Sequence, residues 1–365
     1  SYQPRFKEAG KYAVYVSYQS LPKSVSDAKY IVYHKGEATE FSVNQRMGGG
    51  TWVYLGTFDF DKGCNEFNRV VCTNKASRRG VVTTDAVRFG GGMGNIERGG
   101  YTSGLPRCLE GARYYAQWAG APYKVYGGRK GENDYADDIN TRSLMTNWLG
   151  GGSVYMPAKN GKHVPIELSL ALHSDAGYNK DGKSTFGALA ICTTDYNDGI
   201  LNSGISRFTS KDFARALRDN LVTDLTAQFG EFGKRYLWDR NYSETRLPEV
   251  PSAILEMLSH QNFPDMRIAQ DPLGKFYIAR SIYKTILRFV NSNHGTRYVV
   301  QPLAPQNFSV TQNQGVALLS WTAQLDKTEP SARPTSYIIY KAEGQGGFDN
   351  GTIVNTTRCQ MQLEP

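Results

Sequence analysis

The stretch "IELSLALHSDAG", residues 166–177, runs through apolar and small residues and then stops on a histidine and an aspartate. An apolar run of this length bounded by polar residues reads as a buried strand, "PIELSLALH", and "FGALAICTT" (186–194) reads the same way. Around them, from about 104 to 292, helical and strand periods alternate. "LPRCLEGARYYAQWAG" carries a helical apolar stripe with Gly120 as its stop signal, and "YKVYGG" reads as a short strand. "ADDINTRSLMTNWLG" and "KDFARALRDNLVTDLTAQFG" are helical, "VPSAILEML" is a strand, and "PLGKFYIARSIYKTILRFV" is the closing helix. Strand and helix in turn predict an α/β sheet with helices on both faces.

The flanking segments have a different period. Between residues 11 and 90, "KYAVYVSYQ", "AKYIVYHKG", "EFSVNQ", "TWVYLGTFDF", "FNRVVCTN" and "GVVTTDAVRFG" alternate with period two and are bounded by turn residues, which predicts a six-stranded antiparallel β-sandwich. The glycine-rich "FGGGMGN" (89–95) closes it as a tight turn, since no lysine or helix follows at phosphate-loop spacing. After the polar linker "NSNHGTRYVVQ", the segment "PLAPQNFSVTQNQGVALLSWTAQL" and "SYIIYKAEG" return to β. The predicted fold class is therefore multidomain: a β-sandwich over 1–95, an α/β domain over 96–296 and a partial β-sandwich over 297–365.

Composition supports this order. The 365 residues are 40% hydrophobic, with 23 tyrosines and 38 glycines, a mixture that favours strands and turns over a helical bundle. The net charge of +8 suits an anionic partner such as a wall polymer or acidic polysaccharide. The charges are scattered and no nucleic-acid-binding motif occurs, so nucleic acid is not expected. No apolar run approaches the roughly 18 residues of a membrane span, and the first residues carry no signal-peptide pattern. A chain beginning at Ser1 is expected to be a processed product or a piece of something longer. The five cysteines lack CxxC spacing and indicate neither a zinc knuckle nor a dense disulfide scaffold; a Cys64–Cys72 bridge and free buried thiols both remain open.

In an open α/β sheet, sites form where strands end. His173 and Asp175 sit at one such end, and "PSAILE" delivers Glu256 to another. Glu110 lies at the first helix of the region beside Leu109 and Ala112, where a charge needs a partner or a metal. Each alone also fits a bland role: a hydrogen-bonded histidine, a solvated glutamate. Asp175, Arg246 and Asn262 are candidate substrate-orienting groups, Arg246 because a guanidinium grips carboxylates bidentately; a surface salt bridge is the other reading of it. Trp52 and Tyr54 are candidates for stacking on sugars, or strand aromatics of the core.

Three resemblances bear on these residues. "FKEAGKYAVYVSY", "YIVYHKGEATEFSVNQRMGGGTWVYLGTFDF" and "VVTTDAVRFGGGMG" resemble the golvesin C-terminal-like domain, a jelly-roll-like module, which implies a binding or spacer role. "EGARYYAQWAG", "LALHSDAG" and "PSAILEMLSHQN" resemble the zinc-dependent N-acetylmuramoyl-L-alanine amidases, and more closely the branch with an inserted golvesin-like module whose members are often labelled xanthan lyase. The C-terminal segment resembles a fibronectin type III module, with Trp321 and Tyr340 placed like core aromatics.

The amidase resemblance implies a six-stranded α/β sheet, a Zn2+ cofactor held by Glu110 and His173, and Glu256 as general base on a zinc-bound water. The substrate would be the amide joining muramic acid to L-alanine in peptidoglycan, at a secreted, periplasmic or cell-surface location. Such a zinc takes three protein ligands and leaves one position for water. The family's first ligand, a histidine in a Gly-His-Gly-Gly strand end, has no counterpart here and would precede Ser1. Of His34, His163, His260 and His294, His260 is the best substitute. Two other functions stand beside this one: a non-catalytic wall- or carbohydrate-binding protein, and a polysaccharide lyase, for which no base arrangement is visible.

Overall fold

The computed structural model describes residues 1–90, 96–105, 109–342, 344 and 347–362. The predicted sandwich forms from all six segments: β1 (Gly10–Ser17), β2 (Ala28–His34), β3 (Glu37–Val43), β4 (Val53–Phe60), β5 (Arg69–Cys72) and β6 (Ala86–Phe89). They build two three-stranded antiparallel sheets, β4-β1-β6 and β3-β2-β5. Alternation drives this, because every second side chain of a strand faces the other sheet. Val14 and Val16 of β1 and Tyr30 and Val32 of β2 are buried in one core with Phe6, Phe60 and Val70. A bulge between Val14 and Tyr15 shifts the β1–β4 register by one residue.

A small hairpin follows, β7 (Glu97–Arg98) with β8 (Tyr101–Thr102), then three helices: α1 (Ala112–Trp118), α2 (Tyr123–Tyr126) and α3 (Asp134–Gly150). The segment "YKVYGG" is thus helical, not a strand. Its Tyr-Val-Tyr alternation is too short to separate the two periods; Pro122 caps the turn and the Tyr123 and Tyr126 rings, three residues apart, meet at 5.5 Å.

The α/β elements continue with β9 (Ser169–Asp175), β10 (Ala188–Cys192), α4 (Phe208–Phe229), β11 (Lys234–Asp239), α5 (Ser243–Arg246), β12 (Ser252–Ser259), α6 (Phe263–Gln270) and α7 (Pro272–His294). The strands are hydrogen-bonded in the order β11-β10-β12-β9, four among the described residues where the amidase resemblance implied six. β10 is buried throughout as read. β9 is not: it lies at an edge, alternates between half-buried and exposed, and leaves Leu172 53% exposed. Asp175 ends β9 as read, but His173 and Glu256 do not end their strands. β9 continues past His173 to Asp175, and β12 continues three residues past Glu256.

The C-terminal segment forms β13 (Gln306–Asn313), β14 (Val316–Thr322), β15 (Tyr337–Ile339), β16 (Thr352–Val354) and β17 (Arg358–Gln362), in sheets β13-β14-β17 and β15-β16. Trp321 is buried as expected. Tyr340 is 53% exposed, and the rings that meet Trp321 among the described residues are Tyr337 at 5.1 Å and Phe308 at 6.4 Å. That exchange follows from strand parity: residues three apart on an extended segment face opposite sides.

The chain divides into two compact units. One comprises residues 1–173, 190–214 and 237–255; the other comprises 174–189, 215–236 and 256–365. In the second, the C-terminal strands are not strung on a free linker. Lys284 of α7 donates to Asp224 at 2.8 Å and to Thr328 at 2.7 Å, and Arg280 reaches Asp326 at 2.8 Å, all with side chains at least nine-tenths buried except that of Thr328. Cys64, Cys72, Cys192 and Cys359 are free thiols; Cys64 is exposed and only Cys192 is buried. Cys108 and the glycines at 91, 92 and 94 lie outside the described residues.

Candidate active site

Glu110 stands one residue ahead of Gly111, the N-cap of α1, and so precedes the helix rather than lying on it. Gly111 lets the Asp138 and Arg113 side chains close in: a Cβ would sit 2.5 Å from Oδ1 of Asp138 and displace them. This close approach seats the chain against α3. Both carboxylate oxygens of Glu110 are buried and have no hydrogen-bond partner among the described residues. A carboxylate in that state costs several kcal/mol (on the order of those for unpaired buried ions) unless a cation or proton meets it. That orphaned pair of oxygens is the donor chemistry a zinc ligand needs.

His173 belongs to the same unit, and its Nε2 lies 3.0 Å from Oε2 of Glu244 on α5. Arg142 of α3 donates to the other oxygen of Glu244 at 3.1 Å and to Asp138 at 3.3 Å. Arg113 holds Asp138 at 2.9 Å and Asp134 at 2.5 Å, and Arg98 closes the chain on Asp134 at 2.7 Å. Burial alone would raise the Glu244 carboxyl, but the His173 hydrogen bond and the Arg142 guanidinium outweigh it and hold it below the usual carboxylate range. The same competition leaves Asp138 lowered: burial raises it, and Arg113 and then Arg142 bring it down. The histidine is therefore oriented by a relay of alternating charges anchored on three helices.

The other candidates are engaged by the chain itself. Asp175 accepts from its neighbour Ala176 N at 2.8 Å and from Arg235 at 2.7 Å, where the guanidinium also covers the Phe186 ring at 4.0 Å. Arg246 donates to Asn241 at 2.5 Å and faces the Tyr196 ring, so the salt-bridge reading does not hold among the described ion pairs. Asn262 is 1% exposed; its amide donates to Ser184 O and Asp265 and accepts from Asn179 N, all within 3.2 Å. It braces a fully buried Asp265, whose oxygens also receive the backbone N–H groups of Phe186, Gly187 and Ser259. Glu256 has its Oε2 buried within β12.

His260 is exposed and its Nδ1 meets Ser174 at 3.1 Å. His34 bonds Thr39 within the sandwich, His163 bonds Gly152 O, and His294 is the last residue of α7. Among the described residues no three His, Cys, Asp or Glu side chains gather as a metal-binding group. Trp52 is half-buried; Tyr54 is 53% exposed and its ring meets Tyr15 at 5.3 Å.

Sequence reading missed Glu244, Arg142 and Asp265. "SETR" is a polar four-residue helix without apolar periodicity, so nothing local marks Glu244. Arg142 looked like one more charge on a helix face. Asp265, two residues after the start of a helix that opens with Phe263-Pro264, had a weak signal as a helix-initiating acid.

Residues 1–91 match the golvesin C-terminal domain family. Over 91 residues the chain is 33% identical to the xanthan lyase of Bacillus sp. (strain GL1), a match covering 24% of this chain and 10% of that protein. This chain thus spans about a tenth of that curated relative. The solved structure of a Paenibacillus xanthan lyase is 28% identical over 24% of this chain and 8% of that one, with a TM-score of 0.22. The N-acetylmuramoyl-L-alanine amidase of Clostridium difficile 630 is 14% identical, covering 46% of this chain and 79% of its own, with a TM-score of 0.30. That of Mycobacterium smegmatis is 20% identical, covering 42% and 61%, also at 0.30. The architecture described above rests on element order and sheet topology, not on these scores.

Proposed function

We propose that the α/β region is a zinc-dependent hydrolase of the N-acetylmuramoyl-L-alanine amidase kind, acting on peptidoglycan outside the cytoplasm. The observation that carries this reading is the Glu110 carboxylate, buried with both oxygens unpartnered among the described residues. It is one of three positions, with His173 and Glu256, matching the amidase motifs. Glu110 and His173 are the proposed ligands, and a third donor would come from outside the described set. A zinc ion held there supplies Lewis acidity and an acidified water.

The chain's own residues then have these roles. Glu244 and Arg142 keep the His173 ring oriented. Glu256 accepts a proton from the attacking water and returns it to the leaving amine. Asp175 and Arg246 are the proposed substrate-side groups; Asn262, being buried, would act by holding Asp265 and the 177–187 segment. The proposed domains are 1–95, 96–296 and 297–365, the last of fibronectin type III kind.

Metal content and muropeptide turnover test the reading together. The expected result is that zinc retained by the protein is lost in Glu110→Gln, and that Glu256→Ala keeps zinc but releases no peptide. Turnover that survives Glu256→Ala overturns it. A second reading, a non-catalytic glycan-binding protein, is favoured by the golvesin match at residues 1–91 and predicts glycan retention without peptide release. No helix among the described residues is long and apolar enough to cross a membrane.

A further inference from the structure

Two clefts adjoin on the β-sandwich and share Pro22 and Arg46. One, of about 530 Å3, is walled by the 22–27 and 78–81 loops; the other, of about 1140 Å3, runs on past Thr84 and Asp85 to Lys162. Together they present Lys23, Arg46, Arg78, Arg79 and Lys162 against two carboxylates, Asp27 and Asp85. Asp27 is already occupied, accepting the Ser77 N–H at 2.6 Å.

The cations divide by their engagement. Lys162 donates to Gly49 O at 2.7 Å and lies over the Trp148 ring, so it is structural. Lys23, Arg78 and Arg79 are exposed, and among the described residues their side chains make no ion pair or hydrogen bond. Arg46 is also exposed; its Nε is tied to Ser24 O at 3.0 Å, and its two terminal nitrogens have no hydrogen bond among the described residues.

The walls are rigid. Gln45, fully buried, pairs its side-chain amide with the backbone of Thr83 in both directions, at 2.7 and 2.9 Å. Val25 N donates to Val81 O, and Val81 N to Lys23 O at 2.8 Å, so the two loops are laced together. Three exposed guanidinium groups, with no ion pair among the described residues, stand on laced loops whose backbone needs no further ordering on binding.

We propose that this trough binds an anionic polysaccharide, with Arg46, Arg78 and Arg79 gripping carboxylates carried on its sugar rings. A guanidinium matches a carboxylate bidentately, and the remaining lining, hydroxyls and amides such as Gln19, Ser20, Ser26 and Thr84, suits sugar hydroxyls. Nucleic acid is disfavoured because the trough offers little for bases to stack on: Tyr18 is 3% exposed with its hydroxyl donated to Met47 O, and the His163 ring is tied to Gly152 O at 3.0 Å. The site is separate from Trp52 and Tyr54 and does not depend on the amidase reading.

The test is affinity electrophoresis of the whole chain through gels containing polygalacturonate, with dextran as the neutral polymer and single-stranded DNA as competitor, at low and high salt. Retardation by polygalacturonate and not dextran, weakening with salt, is expected. The triple variant Arg46→Gln, Arg78→Gln, Arg79→Gln should bind about tenfold more weakly, and Arg78→Gln alone by a smaller factor, with the unfolding midpoint unchanged because all three are exposed. Trp52→Ala with Tyr54→Ala should leave retardation intact. No preference of the unaltered protein for polygalacturonate over dextran, equal binding by the triple variant, or full displacement by DNA would each overturn the proposal.

Discussion

His173 and Glu244 lie 3.0 Å apart, imidazole Nε2 to carboxylate Oε2, and Arg142 holds the second carboxylate oxygen from the far side. A carboxylate in this position fixes which ring nitrogen carries the proton and how the ring is turned. Glu244→Ala is therefore expected to weaken zinc binding by about 10–100-fold. Competition titration against a chelator of known affinity reads this directly; an unchanged affinity would show that the pair only holds α5 in place.

Glu110 makes the opposite prediction for the metal-free protein. Its carboxylate oxygens have no hydrogen-bond partner among the described residues, so Glu110→Gln, which keeps the shape and removes the charge, is expected to leave the unfolding temperature of the apo protein unlowered. The same substitution should abolish any rise in unfolding temperature on adding zinc, since a ligand stabilises only through the state it binds. Thermal unfolding with and without zinc checks both halves.

Lys284 sits between Asp224 at 2.8 Å and Asp326 at 3.6 Å, its side chain 3% exposed. Replacing it by Met leaves the buried Asp224 without its cation, while Asp326 keeps Arg280, with an expected loss of about 3–5 kcal/mol. Urea unfolding should show it as a lowered midpoint; a shift no larger than that of a surface lysine would contradict the structure.

The same contacts set an acid limit. Burial by itself raises Asp326 and Glu329, but Arg280 holds Asp326 below the usual carboxylate range, and Ser331 and Arg288 do so for Glu329. A carboxyl lowered by folding contributes stability that is fully present above its unfolded pKa, about 4, and is lost as pH falls through the lower folded value. Stability is thus expected to be flat near neutrality and to decline below about pH 4, and Asp326→Asn should flatten that decline. Chemical unfolding midpoints measured from neutrality down through the ordinary carboxylate range, about pH 4, decide this.

Where side chains report their surroundings at short range, the sequence was legible. The six sandwich strands and the long helices α3, α4 and α7 appear where alternation and helical stripes put them, because those periods are written in consecutive residues. "YKVYGG" failed for lack of length, and β11 and α6 passed unread because elements of six and eight residues are too short to show a clear period. His173, Glu110 and Glu256 were visible as anomalies, charges beside apolar runs. What engages them was not: Glu244 meets His173 from 71 residues away.

Residue order alone thus determined the β, α/β, β succession, the elements that carry the candidate residues, and the cationic balance of the chain. Only the tertiary structure decided that β9 is an edge strand, that Asn262 is buried as a brace, that Tyr337 and not Tyr340 meets Trp321, and that Arg46, Arg78 and Arg79 line one trough. Periodicity is a property of neighbouring residues, whereas strand order, burial and charge pairing are set by segments that meet only after the chain has folded.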